Sequence, residues 1–492
     1  MTFTKLSGTL PAGLKASWDA ASNALVISGA TTAKAGNYSL VYQVVQVNGS
    51  KRIPGLTLEL NIAVVDPTAP IVGENGEVVE SVFMKARTYK DIPVVDTNGT
   101  LKGVLQVTIP PTGRLSAKYT SEKGVMSFSA TGWESCEDNS SEGLTLNAVL
   151  RSRSFTVEIS VKACADGSFE AELKDNESED KYTAKHSGIM WSRENSADSW
   201  KGYYTVALPV ESIEESHEGL APTGAGHVTL KMNTASSINS GCVTWAGMLP
   251  NGTAVSGSSV LTRNGEWSRL PIFKCSSTDV VAIGAKILAD SAKSEIARAV
   301  LADDSISSRW NHKERNPAFN AWYSVGFGVY GGLYRTKDSE GKDFNLAACC
   351  NEYYETVNPS LAFYFTVLEE AADETLVLEP VATVVGEKTL SFLDKTSVPS
   401  GMTMSLNRTT GIVSGNLKLK VGDGTKTISA NWKGVIIQGW GPGCACNPEG
   451  DDIIYLPFVT GAYYYTDRMT TEDGKKSLSV RCGGVATIGK PQ

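Results

Sequence analysis

The sequence predicts an all-β protein: a small antiparallel sandwich at the N-terminus, then a large antiparallel β-barrel or barrel-like domain with one short helical insert. Three observations carry that expectation. Apolar and polar residues alternate with period two along run after run, strand-sized segments are punctuated by Gly, Pro and Asn-Gly turns, and one strand-turn-strand phrase recurs three times. Such alternation belongs to strands with one dry and one wet face, as antiparallel sheets provide.

"GTLPAGLKASWDAASNALVISGATTAKAGNYSLVYQVVQVNGS" has short alternating runs between turn residues and predicts the sandwich over residues 1–66. "VVDPTAPIVGENGEVVESVFMKARTYKD" keeps no period and holds two prolines, so residues 67–97 are expected to link. From 98 to 492 alternation dominates, as in Leu105, Val107 and Ile109, in Phe155, Val157, Ile159 and Val161, and in Val228, Leu230 and Met232.

The recurring phrase is seen in "GVLQVTIPPTGRLSAKYTSEKGVMSFSATGW", "GHVTLKMNTASSINSGCVTWAGMLPNGTAVSGSSVL" and "MTMSLNRTTGIVSGNLKLKVGDGTKTISANWKGVII". These meanders predict hairpins assembled into a barrel, whose closure removes exposed strand edges. One segment departs from the pattern. "ILADSAKSEIARAVLADDSISSRW" spaces Ile296 and Val300 four apart behind a Ser291 or Asp290 cap, which predicts a helix over about 290–309.

The 492 residues, 41% hydrophobic and 20% charged, suit a globular chain of several domains. A net charge of -8 without a basic run argues against a nucleic-acid partner. No window offers the ~20 apolar residues of a spanning helix, so no membrane insertion is expected, although a lipid-facing barrel is excluded less firmly. "MTFTKLSGTLPAGLK" lacks the parts of a signal peptide, and the chain reads as a mature piece of a longer exported protein, with a cytoplasmic protein as the alternative.

Chemistry-bearing motifs are sparse. "GFGVYGG", Gly326 to Gly332, matches the dinucleotide-binding glycine pattern, but no helix is predicted after it to hold a pyrophosphate. "DNESEDKYTAKH", Asp175 to His186, is acidic like a calcium loop yet has Asp180 and His186 where glycine and glutamate are required, and reads as a hairpin tip. The histidines, His186, His217, His227 and His312, do not pair at metal-ligand spacing. Neither a nucleophile elbow nor a Cys/His arrangement is present, so no catalytic residue, cofactor or metal is assigned.

Two constellations remain as candidates. Cys349 and Cys350 in "NLAACCNEYYETVNP" and Cys444 and Cys446 in "GWGPGCACNPEG" read as two loops. If these meet, cross-loop disulfides, free thiols and a four-thiolate metal site all stay open. The second constellation is aromatic. Trp310, Trp322, Tyr323 and Trp440 could form a platform on which pyranose faces stack, against the alternative that they pack a core.

Two resemblances add a setting. "LPAGLKASWD" followed by "ALVISGATTAKAGNYSLVYQVV" resembles the immunoglobulin-like domains repeated in large bacterial surface proteins, over roughly Thr4 to Val65. "WKGYYTVALP", "GAGHVTLKM", "WAGMLPNGTAVSGSSVLTRNGEW", "LPIF" and "MSLNRTTGIVSGNLKL…ISANWKGVIIQ" resemble, in that order, an uncharacterised β-barrel module near the C-termini of very large exported bacterial proteins. That likeness runs from about Lys201 to Gln438 and fails at the expected helical insert and at the cysteine segment. The resemblances imply a secreted or cell-surface setting and bring no activity. Together with the missing catalytic signatures and the four histidines they lead to the expectation of a non-enzymatic module for adhesion, spacing or assembly, with glycans, which the aromatic constellation would suit, or other surface proteins as partners. A glycoside hydrolase on a β scaffold is the alternative, and would need two converging carboxylates.

Overall fold

The computed structural model describes residues 2–489 except for single or paired positions and the segments 30–32, 65–70, 73–77, 80–86, 136–142, 152–155, 216–220, 289–298, 314–321, 366–380, 422–425, 439–457 and 471–476. It is all-β, with 65% strand and 5% helix.

At the N-terminus Thr2–Ser7, Gly36–Asn48 and Lys51–Val64 form one antiparallel sheet, and Leu14–Asp19 pairs with Ala24–Gly29 in a second. Leu40, Tyr42 and Val45 are its buried apolar side chains.

The next sheet has nine strands, running from Gly124–Ala130 through Leu115–Ser121, Leu101–Ile109, Arg87–Val95, Lys181–His186, Phe169–Asp175, Thr156–Cys164 and Gly143–Arg151 to Glu134–Ser135. Gly124–Ala130 returns against Gly143–Arg151, so the sheet nearly closes into a barrel. Alternation decides which residues fill it: Leu105, Val107 and Ile109 point inward, as do Leu115, Ala117 and Tyr119. Arg87–Val95 lies in the stretch expected to link. Its apolar residues Tyr89, Ile92 and Val94 are buried here, but a bulge at Asp91, whose φ is 50°, breaks their period and hid the strand.

A twelve-stranded sheet follows between Gly202 and Leu333. Asp279–Leu288 pairs along one half with Ala299–Ala302 and along the other with Arg309–Lys313, while Tyr330–Leu333 and Trp322–Phe327 continue those two lanes. Ser259 Oγ donates to the carbonyl of Pro271, bringing Ala254–Val260 back to Trp267–Cys275 around a core that includes Trp200, Leu230, Trp245 and Trp310.

The last sheet has eight strands, from Leu390–Phe392 through Val381–Val385, Leu361–Phe365, Ser477–Gly489, Val459–Thr470, Lys426–Ile436 and Ile412–Val421 to Ser405–Asn407. Phe363, Trp432, Tyr463 and Ile488 lie in its core. The alternating strands of 98–492 are therefore shared among three sheets with separate cores, one meander in each. A single ring of so many strands would enclose a lumen wider than side chains can fill.

The described helices lie elsewhere than expected, at Ala235–Ser240 and Leu346–Tyr354. Of the 290–309 stretch, residues 289–298 are outside the described set, while Ala299–Ala302 is a strand with Val300 fully buried. Ala299–Ala302 finds strand partners on both sides, and at these four residues tertiary pairing overrides the helical period. "GFGVYGG" spans the end of one strand and the start of the next, and Asp175 to His186 is a hairpin turn with its following strand.

The sheets are seated on one another by specific contacts. Ser307 N donates to Gly99 O at 2.8 Å, and Leu101 packs with Ala282 and Ile306. Gly99 has φ +74°, and a Cβ there would sit 2.7 Å from Ser305 O, so the close approach requires glycine. On the other side Thr205 Oγ1 donates to Ile436 O at 2.6 Å and Ala225 N to Gly461 O at 3.2 Å.

Candidate functional site

Of the four residues expected to form an aromatic platform, the structure describes the side chains of two, and both are buried. Trp310 is fully buried and Tyr323 nearly so, the two meeting edge to face with centroids 5.0 Å apart. The side chain of Trp322 and all of Trp440 lie outside the described residues. Trp310 Nε1 donates to Asp279 Oδ1 at 3.0 Å, His312 Nδ1 lies 2.9 Å from the same oxygen, and Thr278 Oγ1 donates to Oδ2 at 2.6 Å. Burial alone pushes the Asp279 carboxyl up, but these hydrogen bonds outweigh it and hold the group below its ordinary range. Strand alternation aims Trp310 and Tyr323 at the barrel core, so their polar atoms bind to protein, not ligand.

The cysteine candidates are likewise divided. Cys349 and Cys350 are buried on the helix Leu346–Tyr354, not on a loop, and Cys444 and Cys446 lie outside the described residues. Among the described residues no group of three or more His, Cys, Asp or Glu could hold a metal ion.

The structure instead brings together a polar cleft that the sequence did not announce, about 220 Å³ in volume. Its lining comes from four separate segments: residues 334–337 with 343, 344 and 346, the turn after Val381–Val385, Leu406 with the turn after Ser405–Asn407, and Gln438. Each wall is fixed by local chemistry. Tyr334 N donates to Tyr203 O at 2.7 Å and its hydroxyl to Arg408 O at 2.8 Å, which pins the loop to the opposite turn. Burial pushes the Tyr334 phenol up to about 12, so it remains a donor at neutral pH.

Arg335 is held at both backbone groups by one side chain. Gln438, itself buried, accepts from Arg335 N at 2.7 Å and donates to Arg335 O at 3.3 Å. Asn407 Oδ1 accepts from Thr409 N at 3.0 Å and shapes the turn that carries Arg408. Asn345 Oδ1 accepts from Ala348 N at 3.0 Å and caps the helix beginning at Leu346, whose N–H reaches Glu387 O at 2.8 Å.

The result is a cationic site. Arg335, Lys337, Lys388 and Arg408 face two carboxylates, Asp343 and Glu387. Asp343 takes Lys388 Nζ at 2.8 Å and Arg408 Nη2 at 3.4 Å, and these partners hold its carboxyl below the ordinary range. Lys337 Nζ donates to Gly341 O at 3.1 Å. The Arg335 guanidinium has no hydrogen-bond or ion-pair partner among the described residues. Half-buried Phe344 and Leu406 supply apolar surface beside these charges.

Sequence reasoning missed this site because its charges come from positions 335–343, 387–388 and 408. The only local signal was the polar hairpin "YRTKDSEGKD", which reads as an ordinary solvated turn.

No family model matches the chain, and no curated protein matches it. Among solved structures, a double mutant of the vaccine antigen transferrin binding protein B from Haemophilus parasuis Hp5 aligns over 93% of this chain and 84% of that one, at 10% identity and a TM-score of 0.16. A score that low describes no common arrangement of strands, so neither fold nor role passes from that protein to this chain. No described helix is long and apolar enough to cross a membrane.

Proposed function

We propose that this chain is a non-enzymatic module of an exported bacterial surface protein that acts in adhesion or assembly by binding glycan. Residues 1–66 serve in this reading as an immunoglobulin-like spacer. The observation that carries the proposal is the cleft at Arg335: preset donors beside apolar surface on a rigid β scaffold, an arrangement suited to holding a sugar rather than transforming it. A glycosidase needs a carboxylic acid kept protonated near neutral pH, whereas Asp343 is held in the opposite direction by Lys388 and Arg408. Fold by itself assigns no activity.

A glycan array run beside a broad glycosidase screen on the same sample tests the reading. Retention of glycans without turnover supports it. Turnover abolished by one carboxylate substitution would replace it with the hydrolase, and silence in both assays would leave a spacer.

A further inference from the structure

We infer that the cleft takes one sugar ring bearing a single carboxylate, a hexuronate-type residue, with Arg335 as the group that pairs the acid. The inference rests on the glycan-binding reading above and narrows it by charge, size and geometry.

Four cations against Asp343 and Glu387 leave the cleft net positive, and the way these charges are already paired sets the ligand's acidity. Of the four cations, Lys388 and Arg408 already share Asp343, and Lys337 donates to the carbonyl of Gly341. Arg335 alone has an unmatched guanidinium among the described residues, and its planar fork fits one planar carboxylate through two parallel hydrogen bonds. A polyanion would need the other cations as well; Lys388 and Arg408 could be recruited only by breaking the Asp343 pairs, and Lys337 only by leaving the Gly341 carbonyl. A neutral sugar would leave the fork unanswered while displacing the water that solvates it.

Geometry makes Arg335 more than a surface charge. Gln438 locks its N–H and its carbonyl, and Tyr334 next to it is fixed to two other segments, so the side chain starts from a stationary backbone. That lowers the ordering cost of binding. Size suits a single ring in the cleft: about 220 Å³ holds about one pyranose with its substituents. Phe344 and Leu406 offer the apolar surface against which the C–H face of such a ring packs.

The test is titration of the full chain with methyl β-glucuronide, methyl β-glucoside, galactose 6-sulfate and acetate, followed by NMR. Methyl β-glucuronide is expected to bind at least about tenfold more tightly than each of the others, and Arg335→Gln to remove about that factor. Arg335→Gln should keep the thermal midpoint of the parent, because no described group depends on the guanidinium, so lost binding cannot be mistaken for lost folding. Equal binding of methyl β-glucoside would overturn the acid assignment and leave glycan binding standing. Equal binding of acetate would reduce the cleft to a carboxylate hole, and equal binding of the sulfated sugar would reduce it to a general anion site. Either result overturns the inference. If none of the probes binds while the glycan array is positive, the inference fails alone; if the array is silent too, both fail.

Discussion

Acidification should weaken the seam between the twelve-stranded and eight-stranded sheets through His227. On Gly226–Met232 the side chains of Val228, Leu230 and Met232 fill the core of their own sheet, which leaves His227 facing the neighbouring sheet. It is 3% exposed, its Nδ1 has no hydrogen-bond partner among the described residues, and Lys433 of the opposing strand Lys426–Ile436 adds a like charge to any proton it takes. Burial first, and Lys433 second, lower its pKa from 6.5 to about 4.

The sign follows from which state binds the proton. As pH falls below 6.5 the unfolded chain protonates His227 while the fold keeps it neutral, so the stability held above 6.5 drains away until pH reaches about 4. At about 1.4 kcal/mol per pH unit, that window corresponds to a loss of about 3 kcal/mol. Urea denaturation of the parent and of His227→Leu across the window measures it. The variant removes the proton site and the unpartnered nitrogen together, and its stability should fall less steeply by about 3 kcal/mol over the whole range. A remaining slope is expected, because burial also lowers His186 to about 4. Parallel pH profiles for the two proteins, or an imidazole NMR titration placing His227 near 6.5, would refute the reasoning.

Other substitutions probe the sheets one at a time. Asp279→Ala strips Trp310, His312 and Thr278 of a shared acceptor and should cost about 3 kcal/mol in urea denaturation, a loss below about 1 kcal/mol contradicting the buried network. Gly415→Ala would drive a methyl into the carbonyl of Thr403 and the indole of Trp432, and should lower stability by about 3 kcal/mol, read from the same assay. Gly341→Ala introduces no clash but strains a backbone at φ +78°, costing about 1 kcal/mol and leaving the other sheets unaffected; a loss as large as that at Gly415 would mean the hairpin packs more tightly than the structure has it.

The amino-acid pattern by itself determined the all-β class and the strand faces. Alternation such as Leu105, Val107 and Ile109 has one physical consequence, a sheet with a dry side, and all three of these residues are buried. The acidic stretch Asp175 to His186 likewise read as a hairpin tip, of which the structure makes the part before Lys181 the turn and the rest a strand. Period is a local property, however, and partnership is not. Nothing in a strand's own residues says which sheet it joins, so three cores were indistinguishable from one. The bulge at Asp91 shifted Arg87–Val95 out of register with its own pattern, and Ala299–Ala302 is a strand because Asp279–Leu288 and Tyr330–Leu333 flank it.

The sites divide in the same way. Trp310 and Tyr323 carry side chains suited to sugar stacking, but alternation cannot tell an inward ring on a closed sheet from an outward one until closure is known. Tertiary structure turned both inward, and gathered Arg335, Asp343, Lys388 and Arg408 from segments up to seventy-three positions apart. Electrostatic fit depends on distance in space, and only the folded chain supplies those distances.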